Sequence, residues 1–80
     1  LIIEVLSPGT RQHDLVRKMN LYRRYGVREY WTVEAELGTV LQYVLDDKGY
    51  RLAGAYEKGD KVPVHVLEGC TIDLDEIFSE

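Results

Sequence analysis

Leu1 to Leu6 is an apolar run broken once, by Glu4. Continuous runs of this kind suit a strand covered on both faces, as in a parallel sheet. Ser7-Pro8-Gly9-Thr10 follows as a turn, with Thr10 placed to cap a helix. Residues 11–25 carry apolar positions at helical spacing, and Gly26 falls where a left-handed glycine ends a helix, after Arg23 and Arg24 in the last turn. Residues 28–34 have the aromatic and β-branched content of a strand. Thr39 to Leu45 and Tyr50 to Tyr56 are strands on either side of the turn Asp46-Asp47-Lys48-Gly49. A second turn, Glu57 to Asp60, leads into a strand over Lys61 to Leu67, which Pro63 demotes to an edge. Asp73 to Phe78 is a short terminal helix capped by Asp73. The pattern predicts one α/β domain: a βαβ unit with a right-handed crossover, then antiparallel strands.

Two charged residues interrupt the apolar pattern. On a helical wheel of about 100° per residue, Lys18 lies in the apolar arc with Leu15, Met19, Tyr22 and Tyr25, and Asp14 stands one turn before it. The other bases of the helix point outward. Glu4 is surrounded in sequence by Ile2, Ile3, Val5 and Leu6, and alternation puts Ile2, Glu4 and Leu6 on one face of the strand. If the helix packs over that face, Glu4 and Lys18 converge. An ammonium turned toward a core needs a partner. A Glu4–Lys18 or Asp14–Lys18 ion pair without chemistry meets that need as well as a reactive site does.

Composition narrows the class. With 45% hydrophobic and 30% charged residues and a net charge of −4, the 80-residue chain has the content of a globular domain, and no run reaches a membrane span. Leu1 to Leu6 is too short and too acidic for a signal peptide. Cys70 is the single cysteine, which excludes an internal disulfide and a cysteine-zinc framework, and a reducing cytoplasmic location is expected. Charge is segregated: residues 11–28 hold six bases against Asp14 alone, whereas residues 29–80 hold twelve acids against four bases. The basic segment is either a solvated helix face or a polyanion contact. A domain of this size is marginal alone, and the chain opens directly in an apolar run. It is therefore expected to be the C-terminal part of one longer domain whose earlier strands are missing here, or else a small domain completed as a homodimer or higher homo-oligomer.

The stretch Glu4-Val-Leu-Ser-Pro-Gly-Thr, followed by Asp14, Lys18, Tyr22, Gly26-Val27 and Glu29-Tyr30-Trp31, resembles a restriction-endonuclease family, the Uma type, within the PD-(D/E)XK nuclease superfamily. Weaker similarity continues through Tyr56 to Asp60 and Leu74 to Phe78. The resemblance implies a restriction-endonuclease-like mixed sheet and Mg²⁺-dependent hydrolysis of DNA phosphodiesters, with Mn²⁺ as an alternative ion. In that superfamily a first acidic residue ends one strand, and an acidic-X-Lys motif lies on the next. Here the motif reads Glu4-Val5-Leu6, so the lysine is absent from its usual place. Lys18, inward on the following helix, is the natural substitute, and the first acidic residue would precede Leu1.

On this resemblance Glu4 and the Val5 carbonyl hold the metal, consistent with the oxygen preference of Mg²⁺. Lys18 serves as the catalytic cation, Asp14 positions Lys18, and Arg11 and Arg17 hold the phosphodiester backbone. Ser7 and Thr10 are turn and cap residues first and phosphate contacts second. His13 and His65 lack metal-ligand spacing. Tyr22, Tyr25, Tyr30 and Trp31 are expected in the core or an interface, Cys70 as a small buried hydrophobe, and the acidic tail as a solvated helix face. Two rivals remain open: a non-catalytic assembly module that oligomerises through the edges of residues 39–67, and a nucleic-acid binder that uses the arginine face alone.

Overall fold

The computed structural model describes residues 1–6 and 12–78. Their order is β1 (Ile2–Leu6), α1 (Gln12–Arg24), β2 (Glu29–Glu34), β3 (Thr39–Asp46), β4 (Gly49–Glu57), β5 (Lys61–Pro63), β6 (Thr71–Asp73) and α2 (Leu74–Phe78). Strands β1 to β4 form one mixed sheet in that order. β1 runs parallel to β2, with Glu4 opposite Thr32, and the remaining pairs are antiparallel. The expected βαβ unit followed by antiparallel strands is thus present. Among the described residues no helix is long and apolar enough to cross a membrane.

α1 stops where its sequence says it should. Gly26 has φ +72°, its N–H donates to the Arg23 carbonyl at 3.1 Å, and the Val27 N–H donates to the Tyr22 carbonyl at 3.0 Å. These two bonds close a Schellman motif, satisfying carbonyls that a helix end otherwise leaves open. Because the helix ends at Arg24, Tyr25 leaves the inward arc and is 77% exposed, which excludes it from the core, the first of the two places expected for it. At α2 the Asp75 N–H donates to Asp73 Oδ1 at 3.0 Å, the expected cap.

The register divides the sheet into two faces. Ile2, Glu4 and Leu6 share one face with Tyr30, Thr32, Leu41 and Tyr43, and α1 lies over it. The opposite face carries Trp31, Val33 and Val40, which pack against Val62, Val64 and Leu74 to form the buried apolar cluster. β2, buried on both faces, reads as a central strand should. β1 does not, although its continuous apolar run predicts cover on both sides. Ile3 and Val5 are exposed, because the β5–β6–α2 segment that closes the second face reaches the β2–β3 cluster and not β1.

Two further expectations are corrected. The strand expected over Lys61 to Leu67 ends at Pro63 and leaves the main sheet to pair with β6, which has no strong sequence signal of its own. Proline offers no N–H for continued pairing. Its carbonyl instead accepts from Gln42 Nε2 at 2.9 Å, and the chain turns back with the Val64 N–H donating to the Cys70 carbonyl at 2.8 Å. Cys70 stands in that turn and is exposed rather than buried.

Candidate active site

Alternation along β1 aims Glu4 at the face that α1 covers, and the helical arc of α1 aims Lys18 and Tyr22 back at it. The three side chains meet. Lys18 Nζ lies 3.3 Å from Glu4 Oε1 and 3.4 Å from Oε2, so the ammonium straddles the carboxylate. The Tyr22 hydroxyl, one helical turn beyond Lys18, donates to Oε1 at 2.5 Å. The Glu4 side chain is 19% exposed and that of Lys18 is 44% exposed. The pair is therefore partly in solvent, with the carboxylate the more withdrawn of the two and the lysine side chain the more exposed. The hydrogen bond to Glu4, reinforced by burial and by the carboxylate charge, pushes the Tyr22 hydroxyl up to about 12. Tyr22 thus remains a donor throughout the neutral range.

A wall of tyrosines supports this arrangement from below. The Tyr22 ring leans on Tyr30, centroids 5.3 Å apart, and Tyr30 packs in turn against Tyr43 and Tyr50, each at 6.0 Å. Tyr50 is anchored by its hydroxyl, which donates to the Val27 carbonyl at 2.5 Å. Tyr30 is fully buried, and burial, with the Glu4 charge behind it, pushes its hydroxyl up to about 12.

Val5 follows Glu4 on β1, next to the carboxylate in sequence, with its side chain exposed. Asp14 Oδ1 stands 4.0 Å from Arg17 Nη2, and the Arg17 side chain is 79% exposed. Ser7, Thr10 and Arg11 lie outside the described residues. Beside Lys18 and Tyr22, an open groove of about 680 Å³ is bordered by Val16, Arg17, Leu21 and Arg24. Its two arginines suit a phosphate backbone. A depression of about 450 Å³ is bordered by Thr32, the register partner of Glu4, and by Glu34, Glu57 and Asp60, whose charges would repel one. His65 and Cys70 are exposed, in and after the turn that follows β5.

Sequence reasoning missed two roles. The first is Tyr22, whose position on the same arc as Lys18 and one turn beyond it was the available signal. The second is Glu29, fully buried on the opposite face. Its Oε2 accepts from Trp31 Nε1 at 2.6 Å and from Gln42 Nε2 at 2.7 Å, and its Oε1 accepts from the Val66 N–H at 2.9 Å. Burial alone would raise this carboxyl, but the hydrogen bonds from Gln42, Trp31 and the 65–66 backbone outweigh it and hold Glu29 below the usual range. Glu29 is sealed from solvent and organises the core rather than a reaction. A glutamate two positions before a tryptophan on a buried strand was its only trace in the sequence.

Among the described residues no group of three or more His, Cys, Asp or Glu side chains gathers to hold a metal. The donor that Glu4 offers is a carboxylate oxygen, and the Val5 carbonyl, the second ligand that the resemblance implies, adjoins it in sequence. That set is meagre but right in kind for a hard divalent cation that keeps several waters.

Comparison with known proteins bears on the family and the fold. The model of a family described as "Uma2: Putative restriction endonuclease" matches residues 1–75. A solved structure, described as a putative nuclease belonging to DUF820 from Anabaena variabilis ATCC 29413, superposes with a TM-score of 0.67 at 22% identity. The match covers 96% of this chain and 42% of that one, so the chain spans less than half the length of this neighbour. At that identity the likeness establishes a shared fold. No curated protein matches the chain. The family match spans nearly the whole sequence, and the chain belongs to the Uma2 family of restriction-endonuclease-like proteins.

Proposed function

We propose that this chain contributes the metal-binding and lysine-bearing half of a divalent-metal-dependent endonuclease site that hydrolyses phosphodiesters of DNA, with Mg²⁺ as the ion and Mn²⁺ as a substitute. The observation that carries the proposal is the meeting of Glu4 and Lys18, 14 positions apart in sequence, at 3.3 Å, in a half-open hollow. An ion pair that served only packing gains little at such exposure, about 0–1 kcal/mol. It also has no need of a third group as short-range as the Tyr22 hydroxyl.

Glu4, with the Val5 carbonyl, would hold the cation, which when bound supplies a more acidic water and neutralises phosphate charge. Lys18 sits close enough to the carboxylate to share its surroundings and exposed enough to reach a substrate. Its ammonium would stabilise charge that develops on the phosphoryl oxygens. Asp14, one turn before Lys18 on α1, would position the lysine. Arg17, beside the groove, would hold the backbone on either side of the scissile bond, and Arg11, Ser7 and Thr10 belong to the same proposed contact.

The test is Glu4→Gln in the protein, assayed for Mg²⁺-dependent DNA cleavage and, by calorimetry, for Mn²⁺ binding. Loss of both with an unchanged urea midpoint is expected, whereas retained cleavage refutes the assignment. A second reading, a non-catalytic module that assembles into a homo-oligomer, is favoured by the exposed Ile3 and Val5 on β1, which among the described residues pairs in the sheet with β2 alone. Such a module has no reason to bind Mn²⁺ at Glu4, so the same calorimetry separates the two.

A further inference from the structure

We propose that Tyr22 is the positioning residue of this site: its hydroxyl fixes Oε1 of Glu4 and leaves Oε2 as the oxygen that meets a divalent cation. The inference rests on the metal-binding role proposed for Glu4 and adds a role for a residue that the nuclease pattern does not assign.

The two oxygens of Glu4 are not equivalent. Oε1 takes the tyrosine hydroxyl at 2.5 Å and the lysine at 3.3 Å, while Oε2, among the described residues, has only the lysine, at 3.4 Å. A carboxylate on a two-bond stem otherwise rotates freely about its last torsion. One short, charge-assisted hydrogen bond from a fixed donor removes that freedom. The donor is fixed, because the Tyr22 ring is backed by Tyr30, and Tyr30 by Tyr43 and Tyr50. Tyr22 also sits on a helix, one turn from Lys18, so a single rigid element delivers both the orienting donor and the cation. Partners that hold a ligand from behind typically set metal affinity by 10- to 100-fold.

The direct test is Tyr22→Phe, which keeps the ring against Tyr30 and removes the hydroxyl. Tyr50→Phe, in the same cluster but without a bond to Glu4, serves as the control. Three quantities are read: Mn²⁺ affinity by calorimetry, the Glu4 side-chain carboxyl resonance in metal-free protein by carbon NMR, and the urea midpoint. Tyr22→Phe is expected to weaken Mn²⁺ binding by about tenfold and to move the Glu4 resonance. In cleavage it should raise the metal concentration needed for half-maximal rate while leaving KM for DNA unchanged. Tyr50→Phe should leave Mn²⁺ affinity and the Glu4 resonance as they are. If Glu4→Gln abolishes Mn²⁺ binding and Tyr22→Phe leaves it intact, the positioning role is wrong and the nuclease reading stands. If Glu4→Gln itself leaves Mn²⁺ binding intact, the nuclease reading fails first. A fall in urea midpoint equal for both tyrosine variants, with equal loss of Mn²⁺ affinity, would assign the effect to packing and overturn the inference. If Tyr22→Phe fails to fold, the Glu4 resonance in wild-type protein still decides: the inference requires a nuclear Overhauser contact between Glu4 and the Tyr22 ring, and its absence ends it.

Discussion

The Glu29 carboxylate accepts the indole N–H of Trp31 at 2.6 Å, two residues along β2 and on the same face of the sheet. The same oxygen takes Gln42 Nε2 from β3, and Gln42 in turn donates to the Pro63 carbonyl and accepts from the Tyr56 hydroxyl at 3.1 Å. One buried acid thereby ties β2, β3, β4 and the segment after β5 into a single network. A buried polar group of this kind is tolerable only when its partners are complete. Glu29→Ala leaves the Trp31 and Val66 donors without an acceptor, and each buried orphan costs about 1–3 kcal/mol. The expected loss is about 3–5 kcal/mol, a large share of the stability of a domain this small. Urea denaturation measures it; a loss under about 1 kcal/mol, the value of a single ordinary hydrogen bond, would show that the network does not act as a unit.

The same residue sets a dependence on acid. Glu29 is held below its ordinary value of 4.5 in the folded chain, whereas the unfolded chain takes up the proton near that value. Between the two values the unfolded state binds more protons, so stability falls as pH falls. Its contribution is full above about pH 4.5 and is lost as pH drops through the folded value. Denaturant midpoints recorded from pH 7 to pH 3 should therefore fall more steeply in the wild type than in Glu29→Gln. Parallel curves would place the acid sensitivity elsewhere.

How much of this was legible depends on the range of the signal. The β1–α1–β2 unit was readable because its cues are local: a continuous apolar run, a helical period closed by Gly26, and an aromatic strand. The convergence of Glu4 and Lys18 was readable because each broke its own local pattern, and alternation with helical period fixed the faces. What failed was non-local. Cover over Ile3 and Val5 depends on how far the β5–β6–α2 segment reaches across the sheet, and nothing within β1 encodes that. Pro63 signalled an edge strand, but not that the strand would stop there or that the chain would leave the main sheet to pair with Thr71–Asp73. Glu29 had no role assigned from the sequence, since two of its three donors come from positions 13 and 37 residues away. Tyr22 looked like core because its ring is core; only its hydroxyl belongs to the site.

Gly54 is held by a neighbour rather than by its own backbone. A Cβ at that position would stand 2.6 Å from the Tyr56 hydroxyl oxygen and 2.7 Å from its ring, so the Tyr56 ring lies across the glycine. The register of β3 and β4 shifts at the same place, between Gln42 and Tyr43, where β4 carries Ala53 as an extra residue beside Gly54. Gly54→Ala must push the ring away and break its bond to Gln42, at an expected cost of about 1–3 kcal/mol. In a double-mutant cycle, Tyr56→Ala should absorb most of that cost, because the obstructing ring is already gone. Strictly additive losses, measured by urea denaturation of the four chains, would show that the crowding is relieved without consequence.

Lys18 presents a cation to the same carboxylate that is proposed to hold a metal, and two cations on one carboxylate repel. Removing the lysine charge should therefore move metal affinity and turnover in opposite directions. In Lys18→Met the alkyl stem is kept and the charge is lost. The fold should survive, because a half-exposed ion pair contributes about 0–1 kcal/mol. Mn²⁺ should bind more tightly, since Glu4 no longer shares its oxygens with an ammonium at 3.3–3.4 Å. Turnover on DNA should fall by about 10²- to 10³-fold, the usual effect of deleting one charge-stabilising group, with KM for DNA little changed. Calorimetry and single-turnover cleavage read the two quantities independently. Were affinity and turnover to fall together, Lys18 would be a support for Glu4 rather than a group that reaches the phosphate. Were neither to change, its contact with Glu4 would be structural alone.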